Sequence, residues 1–325
     1  MEPEKKYKTL FVYTIMDLII KKKHLYYLIG IIIVVILLFF FTKLNSPKQT
    51  VYRLDGDTLF YSPNRETPKF NQDYFYTNES IDVYKINFMS RNFSTYEARI
   101  YGLLFLPKTE TKENKVSGVV LLPGGGGSKE GETRLALIIA NFGYAVLTID
   151  QRGIGQTEGY YLNPNQDFTV FSKGIEPIQH LSVYDALLSY DVLKSIDGVD
   201  PKNIALVGES MGARYATIAT AIDLSIKGNI AISSAGFHIP QNLPPSEQNY
   251  YNSIDVDNYV DKISPRPIYM LHGSNDTVIP LKDARETFAL AKEPKKFFVA
   301  QNCQHGYCEA MYDELKNDLK EIFMG

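Results

Sequence analysis

The residues with the clearest chemical potential form a Gly-Glu-Ser-Met-Gly run at positions 208–212, in which Ser210 stands between two glycines. Residues 204–207 before it are apolar throughout, as in a strand buried on both faces, and residues 213–221 after it are mostly small or apolar, as in a buried helix. At so tight a strand-to-helix turn a Cβ on either glycine would clash, and the serine would face the positive N-terminus of the helix. The run therefore predicts a nucleophile elbow that presents Ser210.

A serine hydroxyl is a weak nucleophile at neutral pH and needs an imidazole base, whose tautomer a carboxylate fixes. Asp276 follows a predicted strand that ends at residue 271, and His305 follows another that ends at residue 300. The chain order Ser, Asp, His is that of an α/β-hydrolase triad, so we predict Ser210 as nucleophile, Asp276 as acid and His305 as base. The rival histidines and aspartates precede the serine, end a strand or lie in residues 237–261, a predicted pocket wall: His24, His180, His238, His272, Asp191, Asp197, Asp200, Asp255, Asp257 and Asp261.

Four consecutive glycines, residues 124–127, follow Pro123 and a predicted strand that ends at residue 122. Without side chains, such a run can aim several backbone N–H groups at one point. A flexible turn is one alternative. A phosphate loop is another, but no Gly-Lys-Ser/Thr follows and the spacing is not G-x-G-x-x-G. Next to the predicted elbow, the run indicates an oxyanion loop.

Strands and helices must alternate along the chain to bring these loops together. The pattern predicts strands at 100–106, 117–122, 144–149, 204–207, 229–233, 267–271 and 296–300, and helices at 133–142, 180–195, 213–221, 281–291 and 307–323. This alternation predicts an α/β fold with a mostly parallel central sheet and helices on both faces.

Length and composition fit one enzyme-sized domain with an attachment. The chain has 325 residues, of which 45% are hydrophobic and 22% charged, and its net charge of −3 gives no basis for nucleic-acid binding. No cluster of metal ligands is visible, and we expect neither a metal nor a cofactor. The predicted organisation is a cytoplasmic segment at 1–24, a transmembrane signal anchor at 25–42, a linker and lead-in at 43–97, and a catalytic domain at 98–325.

The anchor prediction depends on residues 25–42, which carry no charge over a length close to that of a membrane span. A cleaved signal peptide would have a shorter apolar region followed by small residues, and a buried core helix would show polar positions. Lysines 21–23 precede the span, whereas only Lys43 and Lys48 follow it closely. The positive-inside rule therefore predicts a single-pass protein of the cell membrane with its catalytic domain outside the cytoplasm.

The chain resembles the α/β-hydrolase superfamily, and within it the dienelactone-hydrolase-like esterases and prolyl-oligopeptidase-type catalytic domains. The matching stretches are Leu-Leu-Pro-Gly-Gly-Gly-Gly at 121–127, Asp-Gln-Arg-Gly-Ile-Gly at 150–155, Val-Asp-Pro-Lys-Asn-Ile-Ala at 199–205, the run at 208–212, Leu-His-Gly-Ser-Asn-Asp at 271–276 and His-Gly at 305–306. The resemblance implies the triad above and makes the N–H of Met211 one oxyanion donor. Gly125 is the first choice for the second donor and Gly126 the next. Pro123 departs from the His-Gly-Gly-Gly loop of many relatives, and Ala213 replaces a frequent second glycine.

The expected function is hydrolysis of carboxylic esters through an acyl-enzyme, by a serine hydrolase anchored in the lipid bilayer. The substrate would be a small-molecule ester or a short peptide. A peptidase or acyltransferase could use the same triad, and a catalytically silent binding protein could keep the same fold. The only cysteines, Cys303 and Cys308, flank His305, and their pairing as a disulfide stays open at this point.

Overall fold

The computed structural model describes residues 27, 29–37, 52–92, 96–108, 114–240 and 242–324. The chain divides into residues 1–50 and a compact unit, Val51–Gly325. Residues 29–37 are helical and exposed, and no helix among the described residues is long and apolar enough to cross a membrane. The predicted segment 1–24 and part of the predicted span, residues 25, 26, 28 and 38–42, lie outside the described residues.

The compact unit contains a two-stranded and a nine-stranded sheet. The small sheet pairs β1 (Tyr52–Asp55) with β2 (Thr58–Tyr61). The strands of the large sheet are β3 (Phe70–Thr77), β4 (Ile81–Asn92), β5 (Tyr96–Pro107), β6 (Val116–Leu122), β7 (Ala145–Ile149), β8 (Val199–Glu209), β9 (Asn229–Ile232), β10 (Ile268–Gly273) and β11 (Lys295–Ala300). Their spatial order is β11-β10-β9-β8-β6-β7-β5-β4-β3.

The half of the large sheet that runs from β7 to β11 is entirely parallel, as the alternation of strands and helices predicts. Its inner strands are buried on both faces because helices cover both sides. These helices are α1 (Thr133–Asn141), α2 (Pro164–Phe171), α3 (Ile178–Lys194), α4 (Ser210–Ile222), α5 (Pro245–Ile254), α6 (Leu281–Leu290) and α7 (Tyr312–Met324), with 3-10 turns at Val256–Asn258, Val260–Lys262 and Glu309–Met311. The fold is thus the predicted mostly parallel α/β sheet.

The other half of the sheet is antiparallel and begins earlier in the chain than the sequence analysis places the catalytic domain. Strands β3 and β4 fall within the predicted lead-in at 43–97, yet they extend the sheet through β5. In β4, Ile81 and Val83 pack into the core on one face, whereas Ile86 and Phe88 pack into the core on the other. This switch of face hides the simple alternation by which a half-buried strand is recognised.

The glycine loop and the three candidate triad residues all lie where parallel strands end. The glycine loop follows β6, Ser210 follows β8, Asp276 follows β10 and His305 follows β11. Because the carboxyl ends of parallel strands meet at one edge of the sheet, the fold collects these residues at a single edge.

Candidate active site

Ser210 begins helix α4 directly after strand β8 ends at Glu209, so the predicted strand-to-helix junction is confirmed. Its φ of 51° lies in the left-handed region, which few residues other than glycine adopt. A Cβ at Gly212 would lie 2.3 Å from the carbonyl oxygens of Leu122 and Pro123, and one at Gly208 would lie 2.5 Å from the Gly212 backbone. The two glycines therefore let the strained serine lie against the end of β6.

Asp276 and His305 are joined by a hydrogen bond of 2.8 Å between Oδ2 of the aspartate and Nδ1 of the histidine. The other carboxylate oxygen, Oδ1, accepts the N–H groups of Val278 and Ile279 at 2.9 Å each. Burial raises the pKa of Asp276, but these N–H donors and His305 outweigh it, and the pKa is lower than that of an ordinary aspartate. An ionised Asp276 keeps the proton of His305 on Nδ1 and leaves Nε2 as a proton acceptor.

The loop that carries His305, residues 301–308, contacts the elbow on both sides of the histidine. The N–H of Gly306 donates to Ser233 Oγ at 2.9 Å, and the N–H of Tyr307 donates to Glu209 Oε1 at 2.6 Å. These bonds hold the histidine beside the elbow, although no hydrogen bond joins Ser210 to His305. Catalytic hydrogen bonds in unliganded sites are often long and tighten only with substrate.

Two of the rival histidines, His180 and His272, are fully buried. Nε2 of His272 lies 2.9 Å from the carbonyl oxygen of Ile279 and 3.5 Å from Asp276 Oδ2, and its other nitrogen has no partner among the described residues. Burial lowers the pKa of His272, and it lowers that of His180 to about 3. His180 bonds the hydroxyls of Tyr52 and Ser253, at 3.0 and 2.6 Å. His305 is the histidine that combines partial exposure with a bond to Asp276.

The glycine loop leaves one predicted donor free and engages the other. The N–H of Gly126 donates to Gln151 Oε1 at 3.1 Å, and the N–H of Gly127 closes a turn onto the Gly124 carbonyl at 2.8 Å. The N–H of Gly125 has no partner among the described residues. Of the two glycine donors considered, Gly125 is therefore the one that remains available. A Cβ there would lie 3.0 Å from the Tyr161 hydroxyl and 3.5 Å from Met211 Cε.

Gln151 fixes the glycine loop, a role that the sequence analysis did not assign. Its Nε2 donates to the Pro123 carbonyl at 2.8 Å while its Oε1 accepts from Gly126, so one amide holds both ends of the turn. The neighbouring Asp150 accepts from the backbone N–H and from Nζ of Lys129, at 2.9 Å each. These contacts give residues 150–151 a structural function beneath the loop.

A pair of glutamates, Glu132 and Glu209, lies beside the elbow. Glu132, the N-cap residue of α1, is 7% exposed and hydrogen-bonds to the side chain of Glu209. Burial and the neighbouring charge of Glu209 raise the pKa of Glu132 to about 8, and burial also raises the pKa of Glu209. The only signal in the sequence was an acidic residue inside the serine run, since nothing singled out Glu132.

Cys303 and Cys308 form a disulfide with Cα atoms 6.2 Å apart. The bridge closes a short loop that contains His305 and Tyr307. The question left open by the sequence is therefore answered: the loop of the candidate base is covalently closed.

One group with the composition of a metal site occurs among the described residues, formed by His238, Asp283 and Glu286. Their candidate ligand atoms lie within 4.8 Å of one another, and His238 Nε2 is 3.5 Å from Asp283 Oδ1. Two of the three side chains are exposed, and none contributes to the Ser210, Asp276 or His305 contacts.

A mostly parallel sheet with a strained serine after one strand and a bonded Asp-His pair after two others defines an α/β-hydrolase fold. Residues 100–318 match the model of the dienelactone hydrolase family. The chain belongs to this family.

Individual relatives are distant. The uncharacterised protein YfhR of Escherichia coli O157:H7 is 24% identical over 212 residues, which cover 64% of this chain and 69% of YfhR. The lysophosphatidylserine lipase ABHD12 of Danio rerio is 25% identical over 201 residues, or 54% of this chain and 48% of the lipase. Acetyl xylan esterase 1 from Thermoanaerobacterium sp. JW/SL YS485 has a similar fold, with a TM-score of 0.66, 16% identity and coverage of 79% of this chain and 88% of the esterase.

Proposed function

We propose that this hydrolase-family chain is a membrane-anchored serine hydrolase that cleaves carboxylic esters through an acyl-enzyme on Ser210. The observation that carries the proposal is the 2.8 Å bond between Asp276 and His305, on the loops beside a serine held at φ 51°. A strained serine, an oriented imidazole and a carboxylate with a lowered pKa are the three parts that activate a hydroxyl nucleophile.

In the first half of the reaction, His305 Nε2 takes the hydroxyl proton of Ser210 while Oγ forms a bond to the ester carbonyl carbon. The carbonyl electrons move to oxygen, and the N–H groups of Met211 and Gly125 are the proposed donors to that oxyanion. Collapse of the tetrahedral intermediate breaks the bond to the alcohol, which leaves with the proton from His305. Water then repeats the sequence and frees the acid and Ser210.

Two observations support an ester substrate: the chain belongs to the dienelactone hydrolase family, and the proteins with similar structures include acetyl xylan esterases. A further relative, ABHD12 of Danio rerio, is named a lysophosphatidylserine lipase. These proteins do not define the acyl or alcohol group for this chain, so the substrate class proposed is the carboxylic ester.

The test is hydrolysis of p-nitrophenyl esters of increasing acyl length, compared with chromogenic peptide anilides, by the full chain in detergent. We expect ester turnover that Ser210→Ala abolishes and that Ser172→Ala, which changes an exposed serine after α2, leaves intact. Turnover of peptides without esters would instead indicate a peptidase. A folded chain that turns over neither substrate would contradict the proposal and favour a binding protein.

We propose further that residues 25–42 anchor the chain in the cell membrane with the catalytic domain outside the cytoplasm. The uncharged stretch and the excess of lysines before it support this topology. The Cys303–Cys308 disulfide is consistent with an oxidising compartment, where such bonds persist.

Topology is tested by adding protease to intact cells and following the catalytic domain by immunoblotting. We expect digestion without lysis, and retention of the untreated chain in membranes after an alkaline wash. A variant that lacks residues 1–42 serves as the control and should leave the membrane fraction. Digestion only after lysis would contradict the orientation.

A further inference from the structure

The Glu132–Glu209 pair connects three loops around the candidate nucleophile. Glu209 immediately precedes Ser210, and its Oε1 accepts the N–H of Tyr307 at 2.6 Å on the histidine loop. Glu132 hydrogen-bonds to the Glu209 side chain and accepts the backbone N–H of Gly124. One pair of carboxyl groups therefore bonds to the glycine loop, the elbow and the loop that carries His305.

Such a pair requires a shared proton, because two ionised carboxylates repel each other and offer no hydrogen to the bond between them. The N–H of Tyr307 donates to Glu209 at 2.6 Å, so the negative charge is best placed on Glu209. Glu132 then holds the proton and donates it to Glu209. The raised pKa of Glu132 agrees with this assignment.

We propose that the Glu132–Glu209 pair is a positioning device for the active site, which holds the oxyanion loop and the His305 loop against the elbow while it keeps one shared proton. Loss of that proton at alkaline pH places two negative charges in contact and loosens both loops. The inference rests on the proposed serine hydrolase function. It adds two positioning residues and an alkaline limit to the triad and oxyanion donors already described.

The glycine loop and the His305 loop both lie next to the elbow. A Cβ at Gly124 would lie 3.6 Å from Ser210 Cβ, and one at Gly306 would lie 3.6 Å from Glu209 Oε1. Movement of Glu132 or Glu209 would therefore shift backbone that lies next to Ser210 and His305.

The charged groups near the pair do not offset a second negative charge. On the histidine loop, Nδ1 of His305 already bonds Asp276 at 2.8 Å. Two cations close to Glu132 in sequence have other partners: Lys129 bonds Asp150 at 2.9 Å, and Arg134 on α1 pairs with Glu309. Each of these three side chains already has a partner, so none of them balances the second negative charge that forms when the pair loses its proton.

The pH dependence of kcat/KM for p-nitrophenyl acetate separates this role from simple packing. In the full-length wild type, we expect an alkaline decline of roughly tenfold, centred near the pKa of about 8 that Glu132 has in the structure. In Glu132→Gln, the amide N–H donates to Glu209 and the amide oxygen accepts from Gly124 at every pH, so this decline should be absent. Glu132→Ala removes the partner of the Gly124 N–H and leaves Glu209 with only the Tyr307 N–H, and should lower kcat/KM about 100-fold throughout.

A matched control is Asp318→Asn, which removes another buried carboxyl whose pKa is raised, to about 7, but which belongs to α7 and faces Lys296. This variant should keep the alkaline decline of the wild type. Infrared difference spectra provide a readout independent of turnover: near neutral pH, wild type minus Glu132→Gln should show the C=O band of a protonated carboxyl.

The outcomes distinguish this inference from the proposed function. An active wild type whose alkaline decline persists in Glu132→Gln overturns the inference alone, as does an alanine variant that is as active as the glutamine variant. Absence of the protonated-carboxyl band also overturns it. A folded wild type that hydrolyses no ester overturns the proposed function and, with it, the positioning role.

Discussion

Two side-chain pairs that contain a buried carboxyl group flank the candidate nucleophile, Asp276–His305 and Glu132–Glu209, and the pKa of the carboxyl is shifted in opposite directions in the two. Asp276 accepts two backbone N–H groups and the His305 imidazole, and its pKa is lowered. Glu132 is buried against a second carboxyl, Glu209, and its pKa is raised to about 8. Burial raises the pKa of both carboxyl groups, so the direction of the net pKa shift depends on their hydrogen-bond and charge partners.

The difference assigns different tasks to the two pairs. A carboxylate that stays ionised can fix the tautomer of an imidazole and support its positive charge during turnover. A carboxyl that stays protonated can donate a hydrogen bond and join two loops without adding charge beside the oxyanion. The first pair belongs to the proposed chemistry, and the second keeps that chemistry in place.

Substitutions in the candidate triad, which contains the Asp276–His305 pair, should have the largest effect on activity. His305→Ala and Ser210→Ala should each lower kcat on the order of 10⁴-fold, because nucleophile and base act as a unit. Asp276→Asn should cost somewhat less, since His305 remains but its tautomer is no longer fixed. Single-turnover and steady-state ester hydrolysis measure both, and an almost silent Asp276→Asn would mean that another aspartate is the acid.

The glycine loop is held from two sides, by Glu132 at Gly124 and by Gln151 at Pro123 and Gly126. Gln151→Leu should lower kcat roughly tenfold through loss of loop position, less than removal of a direct oxyanion donor. Its pH profile should keep the alkaline decline, because the carboxyl pair is intact. A profile flattened by Gln151→Leu would show that the decline does not originate in Glu132.

Thermal stability should separate the two pairs by the direction of their pH dependence. The pKa of Glu132 in the folded protein is raised from 4.5 to about 8. The unfolded chain therefore loses this proton first, and the free energy of unfolding falls as pH rises from about 4.5 to about 8. Glu132→Gln should therefore equal the wild type in Tm below that window and exceed it by about 5 °C above it.

The folded pKa of Asp276 is lowered, so its contribution to stability is present above its ordinary value and lost as pH falls through the folded value. Asp276→Asn should have a lower Tm than the wild type at neutral pH, and the deficit should shrink in acid. Scanning calorimetry across the pH range measures both trends. Parallel trends for the two variants would contradict the contrast.

The disulfide should contribute least, because so short a loop has little closure entropy to lose. The loop between Cys303 and Cys308 carries His305 of the first pair and Tyr307, which bonds to the second. A variant with serine at both cysteines should lose about 2 °C in Tm and keep most of its activity. A loss of activity comparable with that of His305→Ala would mean that the bridge, and not the bonds to Asp276 and Glu209, positions the histidine loop.

Local patterns were sufficient to predict the chain's parallel half and the candidate triad. Each residue of the triad follows an apolar strand, and the glycines around Ser210 are required by the turn itself, so the information lies within a few positions. The strands of the lead-in were harder to predict, because β4 buries opposite faces in its two halves.

The carboxyl pair could not be predicted because its members are far apart in sequence. Glu132 reaches Glu209 only after α1 and β8 have been packed around the same sheet, and Gln151 reaches Pro123 across 28 positions. Such contacts follow from the tertiary structure, and the residue types alone fit a solvated surface equally well.

The central claim is that Ser210 is an activated nucleophile, and covalent labelling tests it most directly. The full chain is treated with a fluorophosphonate probe, and the modified residue is located by tandem mass spectrometry of the digested protein. The account predicts one modified serine, Ser210, with labelling strongly slowed in His305→Ala. Modification of a different serine, or ester hydrolysis that continues after Ser210→Ala, would contradict it.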